Sequence, residues 1–484
     1  MFFYPPLKKS VFITLLIVIF AGPAFAANRK KLNGKLIKEI RSEFKMTRQR
    51  RAMYNAVSGN DIKGLALNRD LLRDHNEFYS HKIDTSHITN QKASGRCWMF
   101  AALNSLRPHV IKKNNLKDFK FSHIYLAFWD KMEKANTFYE NIIRLRQKDL
   151  MDRELEFILR KPIGDGGYWE NTKNLIEKYG VVPVEVMPET RSSSNTGIMN
   201  KVLERKLRVD AAKLRKMAES GKPVKELRKA KEKMLSDVYR ILVMNMGLPP
   251  EKFDWRYEPK SKVDGDDDKD KDKSCEDKKK DKSIVIKGYT PKRFYKEFVG
   301  IDLNQYVDLA SAAPHKTGRR YSVSHTKNLC DGDDLTFINV DIETLKSIAV
   351  ISLKDSCPLW FSADVGIDQS LDKGIMANKL YDYEALFGVD LKMSRKELAL
   401  YRQAAPTHAM NLLGVDIQEG KPVKWLVENS WGKNKGNNGL WTMYDDWFDS
   451  NVFSVIVRKK YVPKEVLDVL KQDIVVLPAW DPMW

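Results

Sequence analysis

The sequence predicts an α+β protein of two lobes, helical in its first part and strand-rich in its second, with a large helical insertion between them. Three observations carry this. Up to about residue 300 the apolar residues recur at spacings of three and four, the helical period. After about residue 334 they gather in short runs rich in Val, Ile and aromatic residues, the texture of strands. Hydrophobic residues make up 43% of the 484, enough to bury a core and exclude wholesale disorder, and four cysteines are too few for a disulfide-built scaffold. The length fits two or three lobes, or one domain with large insertions, and no internal repeat is visible.

Residues 1–26 read as a signal peptide for export. Lys8 and Lys9 precede the apolar run Val11 to Phe20, and Ala24-Phe25-Ala26 is a small-x-small cleavage site. The run is shorter than the roughly 20 residues of a membrane span, and no later stretch is long enough for one. The expectation is an exported protein, periplasmic in a Gram-negative source and otherwise secreted, with no stable membrane anchor after cleavage. Residues 27–85 read as an N-terminal helical arm. Residues 86–189 read as a helical lobe, with helices over 97–110, 117–160 and 171–180; Gly180 ends the last, and Val181-Val182-Pro183 runs on extended. Residues 190–300 form the helical insertion. Within it, 259–283 holds almost no apolar residue and is expected to be a disordered loop. Residues 301–470 form the β-rich lobe, with strands over 335–340, 350–353, 415–417, 423–427, 440–443 and 452–457. Residues 471–484 remain as a C-terminal arm.

The formal net charge is +20, from 84 Lys+Arg against 64 Asp+Glu. Two segments hold most of it: 28–51 and 201–235 each carry a net +8. Both have amphipathic helical spacing, through Leu32, Leu36, Ile37 and Ile40, and through Val202, Leu203, Leu207, Ala211 and Leu214. Such a charged face is ordinarily a solvated surface; a basic lining of an assembly is the functional alternative. The tract 259–283 is neutral, with nine Lys against nine Asp/Glu, and lacks the ligand spacing of a calcium loop. A basic nucleic-acid-binding oligomer is therefore a remote alternative, and nucleic acid is not expected as a partner. No CxxC, HExxH or phosphate-binding loop occurs, so no metal and no cofactor is expected.

Chemistry concentrates at a few residues. In TNQKASGRCWMFAA, residues 89–102, Cys97 stands between a Gly-Arg turn and an apolar helix. A helix N-terminus favours thiolate through its dipole and free N–H groups. Gln91, six residues earlier, offers a side-chain amide that, with the Cys97 N–H, would make an oxyanion hole. His408 in PTHAMNLLGVD begins an apolar segment expected to be a core strand, and Asn429 in WLVENSWG follows another. An amide oxygen can hold an imidazole toward a sulfur as a carboxylate does in serine triads, and Trp431 would shield that bond from water and is also expected among the substrate-binding groups. Export permits disulfides, and one bridge among Cys275, Cys330 and Cys357 is open, with the pairing unassigned.

QKASGRCW, THAMNLLGVD and VENSWG resemble the papain-like cysteine peptidases, and specifically their bleomycin hydrolase/aminopeptidase C branch (peptidase C1B). Papain proper has a second cysteine just before the nucleophile; Gly95-Arg96 stands there instead, as in this branch. The resemblance runs over about residues 40–484 and includes DGGYW at 165–169, PETRSSSNTGIMN at 188–200 and LPAWDP at 477–482. It implies a papain-like fold of a helical lobe and a β-barrel-like lobe. It implies Cys97 as nucleophile, His408 as base and later acid, Asn429 as orienter and Gln91 as oxyanion donor. The thiol of such an ion pair is expected well below its free pKa of about 8.5. Gly166 and Gly167 would let a substrate backbone approach, and Asp165 would help hold a cationic N-terminus.

The implied function is a cysteine aminopeptidase acting on peptides through a thioester, and the implied assembly is a homohexamer around a channel. In the family the C-terminal arm lies in the cleft and blocks it beyond the substrate's first residue, and the arm ordinarily continues a few residues past the Trp480-Asp481-Pro482-Met483 positions. Here the sequence stops at Trp484, whose indole and carboxylate would take a new place among the substrate-binding groups. A shortened arm makes oligopeptidase or endopeptidase action the alternative.

Overall fold

The computed structural model describes residues 31–484 except 86, 261–282 and 367. The export signal, Cys275 and nearly all of the neutral charged tract lie outside the described residues. The chain divides into two compact units, Met1–Leu65 and Ala66–Trp484. In the first, helices Gly34–Glu43 and Arg48–Gly59 start at Asn33 and Thr47, whose side chains accept from backbone N–H groups of the first turn. Neither helix has a buried residue. The arm expected over 27–85 is therefore cut at residue 65. Residues 66–85 belong to the second unit, where Leu67 bridges Tyr381 and His81–Lys82 pairs with the strand His408–Gln418.

In the second unit, helices Cys97–Lys113, His123–Arg144, Arg153–Arg160 and Trp169–Tyr179 build one core. The insertion adds the long helices Gly197–Glu219 and Val224–Met246. Their buried Leu203, Leu207, Ala211 and Leu214, and Met234, Val238, Leu242 and Met246, join that same core, which explains their spacing of three and four. Val202, expected on the apolar face, is exposed. The insertion also contains an antiparallel hairpin, Phe253–Tyr257 with Ile284–Tyr289, that its charged flank hid from the sequence reading.

The later residues form one mixed sheet of twelve strands among the described residues. At its centre His408–Gln418 lies antiparallel between Leu359–Ala363 and Lys421–Glu428. Buried on both faces over most of its length, it reads as a continuous apolar run rather than an alternation. Strands Tyr306–Ala310, Arg319–Val323 and Leu359–Ala363 extend the set expected from sequence. Residues 350–353, expected as a strand, are instead the last turn of helix Ile342–Lys354. Asp341 caps that helix, and Leu345, Ile348, Ala349 and Leu353 bury one stripe of it; four apolar residues in isolation carry no period that separates strand from helix. No helix among the described residues is long and apolar enough to cross a membrane.

Two contacts position the site. Trp360 Nε1 on the sheet donates to the Trp98 carbonyl at 3.0 Å. Arg107, on the helix that begins at Cys97, reaches Glu428 at 3.1 Å, and both side chains are almost fully buried. Burial pushes the Glu428 carboxyl up, while Arg107 and Thr85 oppose it. This pair ties the helix of Cys97 to the strand that delivers Asn429.

Candidate active site

Arg96, not a Ser, Thr, Asp or Asn, occupies the N-cap of helix Cys97–Lys113, and it makes no side-chain cap bond. The first N–H groups of the helix are thereby left for the sulfur and for whatever binds beside it. Arg96 is spent elsewhere. Its guanidinium grips Glu189 in a bidentate pair at 3.0 and 2.9 Å and donates to the Ser193 carbonyl at 2.8 Å. The Arg96–Glu189 brace escaped the sequence reading because its partners are 93 positions apart.

Cys97, His408 and Gln91 line one cavity of about 780 Å³. His408 Nε2 lies 2.8 Å from Asn429 Oδ1, and the Ser430 N–H donates to the same oxygen at 2.8 Å. An amide oxygen only accepts, so Nε2 must carry the proton and Nδ1 is left with a lone pair. Trp431 stacks on the imidazole at 4.7 Å between centroids and meets Trp441 edge-on. It covers the His408–Asn429 bond and is not part of the cavity lining, so its expected place among the substrate-binding groups gives way to that of a cover.

The electrostatics differ from the expected ion pair. Cys97 keeps some surface open to the cleft, yet burial pushes its thiol up; the backbone N–H groups of Ala409, Trp98 and Cys97 pull the other way. Burial lowers His408 to about 4, against the raising effect of the Asn429 bond. A thiol below its free value is thus not what this cavity produces. Both shifts have one main cause, the cost of desolvating a charge in a closed site.

Gln91 is anchored at both ends of its amide. Oε1 accepts from Ser430 Oγ at 2.6 Å, and Nε2 donates to the Ser94 carbonyl at 2.6 Å. One amide hydrogen remains for an oxyanion. Asp165 is not available to a substrate ammonium. It accepts from Lys131 at 2.7 Å, Asn200 at 2.9 Å, the Gly95 N–H at 3.0 Å and Thr196. Burial would raise its carboxyl, but the Lys131 ion pair and these donors hold it well below the usual carboxylate range. Its work is to fix the loop before Cys97, while its backbone carbonyl takes the Trp98 indole N–H at 2.7 Å. Gly167 is small for a related reason: a Cβ there would sit 2.7 Å from the Trp98 ring. Gly166 is exposed on the cavity wall with open space around it.

The arm enters the same cavity. Val475–Leu477 pairs parallel with Arg319–Val323, and Asp481 meets His315 at 3.2 Å. Ala479 and Trp484 then line the cavity, with the Trp484 indole against Phe337 and Tyr168. Cys330 and Cys357 are unbridged. Among the described residues no group of His, Cys, Asp or Glu is placed to hold a metal ion.

Comparison with known proteins places this geometry. The Peptidase C1-like family matches residues 31–484. Aminopeptidase C of Listeria monocytogenes is 38% identical over 408 residues, covering 84% of this chain and 87% of that protein. Bleomycin hydrolase of Mus musculus is 35% identical over 468 residues, covering 94% and 99%. The crystal structure of PepW from Lactobacillus rhamnosis superposes with a TM-score of 0.87 at 37% identity, covering 94% of this chain and 99% of that one.

Proposed function

Because the chain belongs to the Peptidase C1-like family, we propose that it is a cysteine aminopeptidase that removes N-terminal residues from peptides. The observation that carries the reading is the shared cavity of Cys97 and His408, with His408 locked by Asn429 into the tautomer that can accept a thiol proton. As Sγ attacks the substrate carbonyl, its proton passes to His408 Nδ1. The tetrahedral oxyanion takes the remaining Gln91 amide hydrogen and the Cys97 N–H. His408 then gives the proton to the leaving amine, a thioester forms, and water activated by the same imidazole releases the acid.

Exopeptidase action is supported by the arm: Ala479 and Trp484 take up part of the wall of the cavity that holds Cys97, space an extended peptide would otherwise use. The test digests one peptide with a free and with an acetylated N-terminus and identifies products by mass. Stepwise loss of single residues from the free form alone is expected. Internal cuts in the acetylated peptide would overturn the aminopeptidase reading in favour of an endopeptidase.

Export and self-association belong to the same proposal. Export rests on the Lys8-Lys9, apolar-run and Ala-Phe-Ala pattern of residues 1–26. A homo-oligomer, a hexamer by resemblance, is supported by exposed apolar side chains on or beside the insertion helices, Ile198, Val209, Met244 and Leu248. N-terminal sequencing of the purified protein and its sedimentation mass check the two; an intact Met1 and a monomer would refute them.

A further inference from the structure

The wall of the catalytic cavity contains a carboxyl that the reaction above does not use. Asp308 lies on strand Tyr306–Ala310 opposite Ile456, which lies opposite Trp360. Side chains two apart on a strand share a face, so Asp308, Ser454 and Ser362 stand with Ile456 and Trp360 on the side facing the helices. Val307, Leu309, Phe361 and Val455 point the other way into the sheet core. Ser362 and Ser454 hydrogen-bond to each other at 2.8 Å, and all three polar residues line the cavity that holds Cys97 and His408.

Asp308 is 4% exposed, yet its Oδ1 has no hydrogen-bond partner. Among the described residues no cation pairs with it. A second carboxyl is close. Glu170 sits in the first turn of helix Trp169–Tyr179, whose Trp169 ring packs 5.3 Å from Tyr306 at the start of the Asp308 strand. Its Oε2 is likewise buried and without a partner. Burial pushes both carboxyls up; Glu170 raises Asp308 further, while at Glu170 its own N–H and Lys173 oppose burial and Asp333 adds to it. Buried polar atoms without partners are costly, and Asp165 in the same cavity shows the ordinary solution of four donors. Asp308 lacks them, and it lines the cavity wall.

We propose that Asp308, assisted by Glu170, is a cation-recognition subsite that binds an ammonium or guanidinium group of the peptide substrate. The source is either the side chain of a lysine or arginine or the free α-amine, which present the same chemistry. The inference rests on the cavity being the peptidase cleft of the preceding section. A cation entering beside Asp308 supplies the missing donor and stabilises the ionised carboxylate, a charge-assisted contact in a partly dry site. Ser362 and Ser454 lie on the same wall to complete its hydrogen bonds.

The test measures binding rather than turnover, so that it does not depend on the aminopeptidase reading. Lysinamide, norleucinamide, Nα-acetyl-lysinamide and Nα-acetyl-norleucinamide are titrated calorimetrically into the Cys97→Ala protein and into Cys97→Ala/Asp308→Asn. At least about a tenfold loss of affinity is expected on Asp308→Asn for cationic probes and not for Nα-acetyl-norleucinamide. A loss with Nα-acetyl-lysinamide assigns the site to the side chain; a loss with norleucinamide assigns it to the α-amine. Glu170→Gln should weaken the same probes by a smaller factor. Equal affinities for all four probes in the Cys97→Ala protein overturn the subsite, and this arm needs no folded Asp308 variant. Separately, wild-type release of leucine from an unblocked peptide reports whether the aminopeptidase reading stands.

Discussion

Cys97→Ala lowers kcat for peptide hydrolysis by at least about 10⁴-fold, equivalent to about 5.4 kcal/mol of transition-state stabilisation. The loss follows from position rather than from residue type. Cys330 and Cys357 are also free thiols, but among the described residues only Cys97 stands at the uncapped start of a helix inside the cavity that His408 shares. Alanine is a good helix former and leaves the Arg96–Glu189 brace and the Trp360–Trp98 bond untouched, so the fold should persist. Far-UV circular dichroism and a thermal melt on the same preparation separate lost chemistry from lost structure. A folded variant that still cleaves peptides at the wild-type rate would remove Cys97 from the mechanism.

His408→Ala should reduce kcat by about 10²- to 10⁴-fold, the ordinary contribution of a positioned base. The wild-type pH profile gives a sharper result. Burial holds His408 near 4 instead of near 6.5, so the imidazole remains a proton acceptor down to about pH 4. Below that it takes a second proton and cannot accept one from the thiol. Burial raises the thiol as well. The acid limb of kcat/KM for a non-titrating substrate should therefore be centred near 4 to 5, with most of the neutral-pH rate retained at pH 5.5. A limb centred near 6.5 would show that the free enzyme keeps His408 wetter or more ion-paired than this cavity does.

Much of the site was legible along the chain. The step from Gly-Arg to an apolar helix marks Cys97, the unbroken apolar run after His408 marks a central strand, and Asn429 follows a second strand. Each signal is local, because helix starts and strand interiors leave their pattern in neighbouring residues. Asp165 reads wrongly for the opposite reason. An acid beside two glycines looks free, and the donors that saturate it come from Gly95, Lys131, Thr196 and Asn200. The thiol misreads similarly: a helix N-terminus argues for thiolate, but the desolvation that outweighs it comes from the surrounding protein.

The order and local setting of Gln91, Cys97, His408 and Asn429 specify the reaction class, and apolar periodicity specifies the two-lobed plan, since reactive residue types and periodicity are properties of short segments. Only the tertiary structure decided which groups are charged, which acids are already paired, and that Asp308 faces the cavity without a partner. Burial and long-range pairing depend on chain segments that can be hundreds of residues apart, as Gln91 and Ser430 are at a separation of 339, and no local pattern encodes them.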